Sequence, residues 1–172
     1  MRVRVAKENT EVVRVAAEEA GLDVFVKDDL SQVLFSVAKL RRVCDPFKDG
    51  VWDGVPLGRV VISQAIREGR LLGDSWDARA SGADWTWMMH VERVAFLVVH
   101  PDPKPIEVDV GIPSLGCHVD WPVIDGNHRL AAALYRGDKT ILVSPAGEER
   151  LIRKFMVKGL TPASHESNFP KS

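Results

Sequence analysis

The stretch Val123-Ile124-Asp125-Gly126-Asn127-His128-Arg129-Leu130-Ala131-Ala132-Ala133-Leu134 constrains this chain more than any other. A β-prone run ends at Asp125, a glycine permits a turn that a side chain would obstruct, and a helix of alanines and leucines begins at once. First-turn amides have no partner inside their own helix, and the helix dipole makes that end positive, so the turn favours a negatively charged group. His128 and Arg129 in the first turn add charge-assisted donors, while Ala131 to Ala133 let the helix press close to a sheet. The same residues also read as Asp125 capping a helix with His128 and Arg129 on a solvated face.

Around this unit the pattern alternates between short strands and helices. Ile106, Val108 and Val110 alternate with Glu107 and Asp109, the period of a strand with one buried face. Thr140 to Val143 reads as a closing strand and Gly137 as the stop of the preceding helix. His118 to Ile124 reads as a short strand. The β-prone run Arg93 to His100 is expected to be a strand, and Pro101-Asp102-Pro103-Lys104-Pro105 a stiff turn behind it. Val60, Val61, Ala65 and Ile66 form an apolar stripe at helical spacing. Thr10 to Gly21 reads as a capped amphipathic helix. Cys44 to Gly58 is rich in turn residues and reads as a loop. Gly73 to His90, with Trp76, Trp85 and Trp87, reads as an insertion packed by its indoles. The tail from Thr161 to Ser172 is expected to be mobile.

These elements predict an α+β protein with a compact mixed sheet and helices. A helical extension covers 1–31, the main domain 32–145 with an insertion at about 73–104, and a C-terminal extension 146–172. Its 172 residues suffice to bury a core without staples. Lys and Arg total 23 against 24 Asp and Glu, a net charge of -1, so contact with a polyanion has to be local. No apolar run approaches a membrane span and no signal-peptide pattern opens the chain, so a cytoplasmic protein without a membrane partner is expected. Cys44 and Cys117 read as small core residues. No paired Cys or His spacing indicates a zinc site.

The box Asp125-Gly126-Asn127-His128-Arg129-Leu130-Ala131-Ala132 resembles the phosphate-binding segment of the ParB/sulfiredoxin superfamily, Gly-x-His/Arg-Arg-x-x-Ala between a strand and a helix. Leu34 to Arg41 is similar to the first ParB strand, Ser63 to Leu71 to the helix after it, Lys104 to Val108 to the next strand, and Thr140 to Val143 to the closing strand. The resemblance spans about 32–145, interrupted between Leu72 and Lys104. It implies a ParB/sulfiredoxin-like fold of the phage or plasmid type, placing nucleotide phosphates over the box. Members include CTP-hydrolysing partition proteins, ATP-using sulfiredoxins, a free-serine kinase, and plasmid or phage proteins with nuclease or ATPase activity. Asn127 stands where sulfiredoxin needs its cysteine, so thiol chemistry is not expected. With little sequence after the box, sequence-specific centromere binding of the kind seen in chromosome-partition proteins is not expected.

The expected function is therefore binding of ATP or CTP at Asp125, Gly126, Asn127, His128 and Arg129, with hydrolysis or phosphoryl transfer. Arg129 would grip phosphate through its planar fork. His128 would bond phosphate or shuttle a proton, or else pack in the core. Asp125 would hold Mg2+ or cap the helix. Glu107 and Asp109 share a strand face and would orient the nucleophile, or simply face solvent on an edge strand. Lys39, Arg41 and Arg42 are a candidate basic cluster, and Trp76, Trp85 and Trp87 candidate base-stacking residues. A ParB-like DNA nuclease, and a non-catalytic nucleic-acid-binding or partner-binding accessory protein acting on a host or plasmid protein, stand as alternatives.

Overall fold

Strand β5 (Thr140–Glu148) organises the sheet, because the strands on its two flanks meet it at the same residue. In this computed structural model, which describes residues 3–4, 32–52, 54–73 and 85–157, β2 (Val33–Ser36) runs antiparallel to β5 with Val33 opposite Val143. On the other flank β3 (Ile106–Asp109) runs parallel, with Ile106 opposite the same Val143. Outside β3 lies the antiparallel strand β4 (Val123–Asp125), giving a four-stranded mixed sheet in the order β2-β5-β3-β4. The two-residue β1 (Val3–Arg4) pairs with Gly147 and Glu148 at the far end of β5. The α+β class predicted from the sequence is the class observed.

β5 runs beyond the Val143 at which the closing strand was expected to end, through Pro145. The carbonyl of Ala146 accepts the Val110 N–H, so Ala146 faces β3 and its neighbour Pro145 faces the opposite flank. On that flank the pairing with β2 has already ended at Val143, and the missing N–H of proline costs no ladder bond there.

Five helices accompany the sheet among the described residues: α1 (Val37–Leu40), α2 (Arg59–Arg67), α3 (Trp87–Val99), α4 (Asn127–Arg136) and α5 (Glu149–Phe155). α4 matches the helix expected after Gly126, and Gly137 ends it as predicted. It also divides the apolar interior in two. Leu130, Ala133 and Leu134 pack with Phe35, Ile106, Val108 and Val143 against the sheet. Ala131 and Ala132 face α2 and α3 and meet Ile62, Ala65, Val91, Val94 and Ala95. Alanines on this second face let three helices approach closely, at about 25 cal/mol for each Å² of apolar surface removed from water.

The sequence reading of Arg93 to His100 as a strand is corrected, since these residues form the second half of α3. Thr86 accepts the Met89 amide and starts the helix, and Val91, Val94, Ala95 and Leu97 are buried at helical spacing. Phe96 and Val98 are only partly buried and Val99 is exposed, yet all three are apolar, so the run from Val94 to Val99 hides the helical period and imitates a strand. Leu34 to Arg41 likewise divides, with a strand as far as Ser36 and the short α1 after it. In α2 the buried positions are Ile62 and Ala65, whereas Val60, expected in the apolar stripe, is 78% exposed. Cys117 is exposed and only Cys44 is a core residue; both are free thiols. Burial, followed by Asp45 and Asp49, pushes the Cys44 thiol up to about 12. Of the strand expected over His118 to Ile124, only the end is realised, in β4. The predicted helix at Thr10 to Gly21, Trp76 and the tail from Thr161 lie outside the described residues. No helix among the described residues is long and apolar enough to cross a membrane.

Candidate anion-binding cleft

The junction between β4 and α4 is shaped by two local devices. Val108 lies opposite Val123 and Glu107 opposite Asp125, so one step along β3 is matched by two along β4. Such a bulge breaks the strict alternation of faces, and here it turns Asp125 outward although Val123, two residues earlier, is buried. Gly126 follows at φ +90°, and a Cβ placed on it would lie 2.5 Å from Cγ2 of Ile106 and 3.1 Å from Nε of Arg129. Glycine is therefore required twice, for a left-handed backbone and for close contact with β3. Gly126 at the N-cap has no side chain to cap α4, and the first turn of the helix borders the space above the turn.

Arg129 lies across that turn. Its guanidinium donates to the Pro105 carbonyl at 3.0 Å and to the Asp125 carboxylate at 2.5 Å. The alternative reading of Asp125 as a helix cap is not realised, because Gly126 occupies the N-cap position and Asp125 pairs with Arg129. Asn127 braces the approach to the site: Trp121 donates to its Oδ1 at 2.8 Å and its amide donates to the Val123 carbonyl at 3.3 Å.

His128 has turned inward. Its Nε2 is hydrogen-bonded to Nδ1 of His90 on α3 across 2.9 Å, with the ring planes 16° apart, so the two imidazoles form a nearly flat plate. Trp52 stacks on this plate, with centroids 4.7 Å from His128 and 5.0 Å from His90, and Trp85 tilts against it at 6.0 and 5.2 Å. Burial, then the neighbouring His90, Arg93 and Arg129, lowers the His128 pKa to about 3, and the ring is neutral near pH 7. A group that weakly basic is a poor general base at neutrality, and it brings no positive charge to a phosphate.

The turn opens on a cleft of about 540 Å³. It is lined by Ile124 to Arg129, by Arg93 and Leu97 of α3, by Asp102 and Lys104 of the proline-rich turn, and by Trp52. Three cations, Arg93, Lys104 and Arg129, face two carboxylates, Asp102 and Asp125, which leaves one net positive charge before the helix dipole is added. Arg93 donates to the carbonyls of Leu72 and Gly73, and among the described residues no carboxylate forms an ion pair with it.

The structure thus gathers all five residues expected at the phosphate site, Asp125 to Arg129, around one cleft. The carboxylates of β3 are placed elsewhere. Glu107 and Asp109 share a strand face as their spacing predicts, but neither lines the cleft, and Asp109 accepts the Gly111 amide at 2.8 Å in the turn that follows. Lys39 donates to the carbonyls of Lys154 and Met156, and Arg41 pairs with Asp45, so this basic group braces α1 and α5 away from the cleft. Trp85 reaches the imidazole plate, whereas the Trp87 indole N–H is buried and has no hydrogen-bond partner among the described residues.

Sequence reasoning missed Trp52, His90, Arg93, Asp102 and Lys104 as site residues. A signal existed for two of these positions and their neighbour Leu97: read as a helix, His90, Arg93 and Leu97 fall at i, i+3 and i+7, one stripe. Trp52 lay in a turn-rich loop that carried no such period. Among the described residues no group of three or more His, Cys, Asp or Glu is placed to hold a metal ion by itself. Comparison of the chain with family models, with curated proteins and with solved structures finds no match.

Proposed function

We propose that this α+β protein is a ParB/sulfiredoxin-like nucleotide-binding protein whose Gly126-Asn127-His128-Arg129 turn takes the phosphates of ATP or CTP. One observation carries the reading. The uncapped N-terminus of a ten-residue helix opens on a cleft of about 540 Å³, with Arg129, Arg93 and Lys104 around it. That volume lies within the roughly 300–1,000 Å³ of small-ligand sites. The backbone amides of the turn supply directional donors, and the guanidinium of Arg129, which already holds Pro105 and Asp125, has further N–H groups for phosphate oxygens.

Magnesium fits this donor set as a companion of the phosphates rather than as a resident ion, because Mg2+ is commonly held by one or two carboxylates together with substrate oxygens. Asp125, 65% exposed at its side chain, is the residue that would hold it, and the ion would neutralise charge on the phosphates. Asp102 is the other carboxylate lining the cleft. Hydrolysis or phosphoryl transfer at this site would rest on positioning and charge stabilisation by Arg129 and the helix amides.

Binding without turnover is a second reading. It is favoured by the weak basicity of His128 and by the position of Glu107 and Asp109 off the cleft. The two readings separate in one experiment, thermal unfolding with each of the four ribonucleoside triphosphates, with and without Mg2+, followed by a phosphate-release assay. A ligand at a hundred times its dissociation constant adds about 2.7 kcal/mol of stability. Stabilisation by a nucleotide supports the proposal, and accompanying release of phosphate selects the enzyme. The absence of stabilisation by all four contradicts it, and a metal-dependent cut of plasmid DNA would point to the nuclease instead.

A further inference from the structure

We propose that Trp52 is the base-stacking platform of the cleft, so that the ligand is a nucleoside phosphate and not phosphate alone; this rests on the phosphate-binding reading of the α4 turn. Trp52 is half-buried and lines the same cleft as Gly126 to Arg129. Its ring is fixed rather than loosely placed. The His90–His128 plate supports it at nearly parallel inclinations of 26° and 18°, and the loop that carries it closes on itself through a bridge between Trp52 and Val55.

The plate ties this indole to the phosphate turn, because His128 belongs to the first turn of α4 and also touches Trp52. A ligand whose anionic end meets the turn therefore has a rigid aromatic surface within the same hollow. An indole face accepts any nucleobase, and stacking needs no hydrogen-bond match. Asp102 also lines the cleft, and one of its carboxylate oxygens accepts the Lys104 amide. A carboxylate offers only acceptors, the chemistry that ribose hydroxyls or an exocyclic base amine would meet. An inorganic anion would use neither Trp52 nor Asp102.

The test is calorimetric titration of the full chain with ATP, CTP and inorganic tripolyphosphate in the presence of Mg2+, repeated for Trp52→Phe and Trp52→Leu. The expected result is that at least one nucleotide binds about tenfold or more tightly than tripolyphosphate to the wild type. That margin should disappear in Trp52→Leu and largely persist in Trp52→Phe, while tripolyphosphate continues to bind both variants and so reports an intact turn. Equal nucleotide affinity for wild type and Trp52→Leu, with tripolyphosphate bound by both, would overturn the stacking role and leave the phosphate site standing. Failure of the wild type to bind either tripolyphosphate or nucleotide would remove the phosphate site and the stacking role with it.

Discussion

Helix α4 has a glycine of positive φ at each end, and the two ends differ in everything else. Gly137, at φ +80°, closes the C-terminus. Its amide returns to the Ala133 carbonyl, and Arg136 beside it is held by Asp138 and the Leu97 carbonyl. A Cβ on Gly137 would meet nothing within 4 Å. Gly126, at φ +90°, is pressed against Ile106, has no capping side chain, and stands under an open cleft. One glycine stops a helix whose last turn is satisfied locally, and the other keeps a side chain out of a turn whose backbone borders an open cleft. A glycine at a helix boundary is thus functional evidence only where the boundary borders an open cleft.

The difference can be broken at its strongest point first. Gly126→Ala should cost about 3–5 kcal/mol in denaturant unfolding, because a left-handed alanine and overpacking against Ile106 act together. A loss as small as that of a bare positive-φ glycine would mean that Ile106 yields readily. Next, Arg129→Ala should weaken nucleotide binding about tenfold to a hundredfold, the range of a lost charge-assisted hydrogen bond. Arg136→Ala, at the closed end, should leave it unchanged by calorimetry. Equal effects from the two arginines would erase the contrast.

The imidazole plate gives a third handle through pH. The His128 pKa is lower folded, about 3, than unfolded, near 6.5, so the unfolded chain takes up the proton first and stability falls as pH drops below 6.5. The contribution is about 2 kcal/mol between pH 7.5 and 5. His128→Phe, which keeps an aromatic ring beside Trp52, should flatten that part of the stability–pH curve. An unchanged curve would place the titration elsewhere. The smallest effect is expected at Gly137→Ala, about 1 kcal/mol in denaturant unfolding, from backbone strain alone.

What the sequence disclosed follows from how local each feature is. The strand, turn and helix from Val123 to Arg136 were legible because terminator, glycine and alanine run are contiguous. Alternation placed Glu107 and Asp109 on one face of β3, yet it says nothing about which loop that face overlooks, and here Asp109 turns to Gly111. The bulge at β4 was not legible, since one unpaired residue leaves no trace in composition. α3 was misread because Phe96, Val98 and Val99 keep its sequence apolar on the side that is not fully buried, which hides the helical period. The union of Trp52, His90 and His128 joins three elements distant in sequence, and no periodicity reports such a meeting.

The central claim is that the turn before α4 grips an anion, and amide chemical shifts of ¹⁵N-labelled protein titrated with tripolyphosphate report on it residue by residue. The account predicts the largest, saturable shifts at Gly126 to Arg129, with the amides from Arg136 to Asp138 at the opposite end of the same helix unmoved. Shifts confined to other regions, or none at all up to millimolar anion, would contradict it.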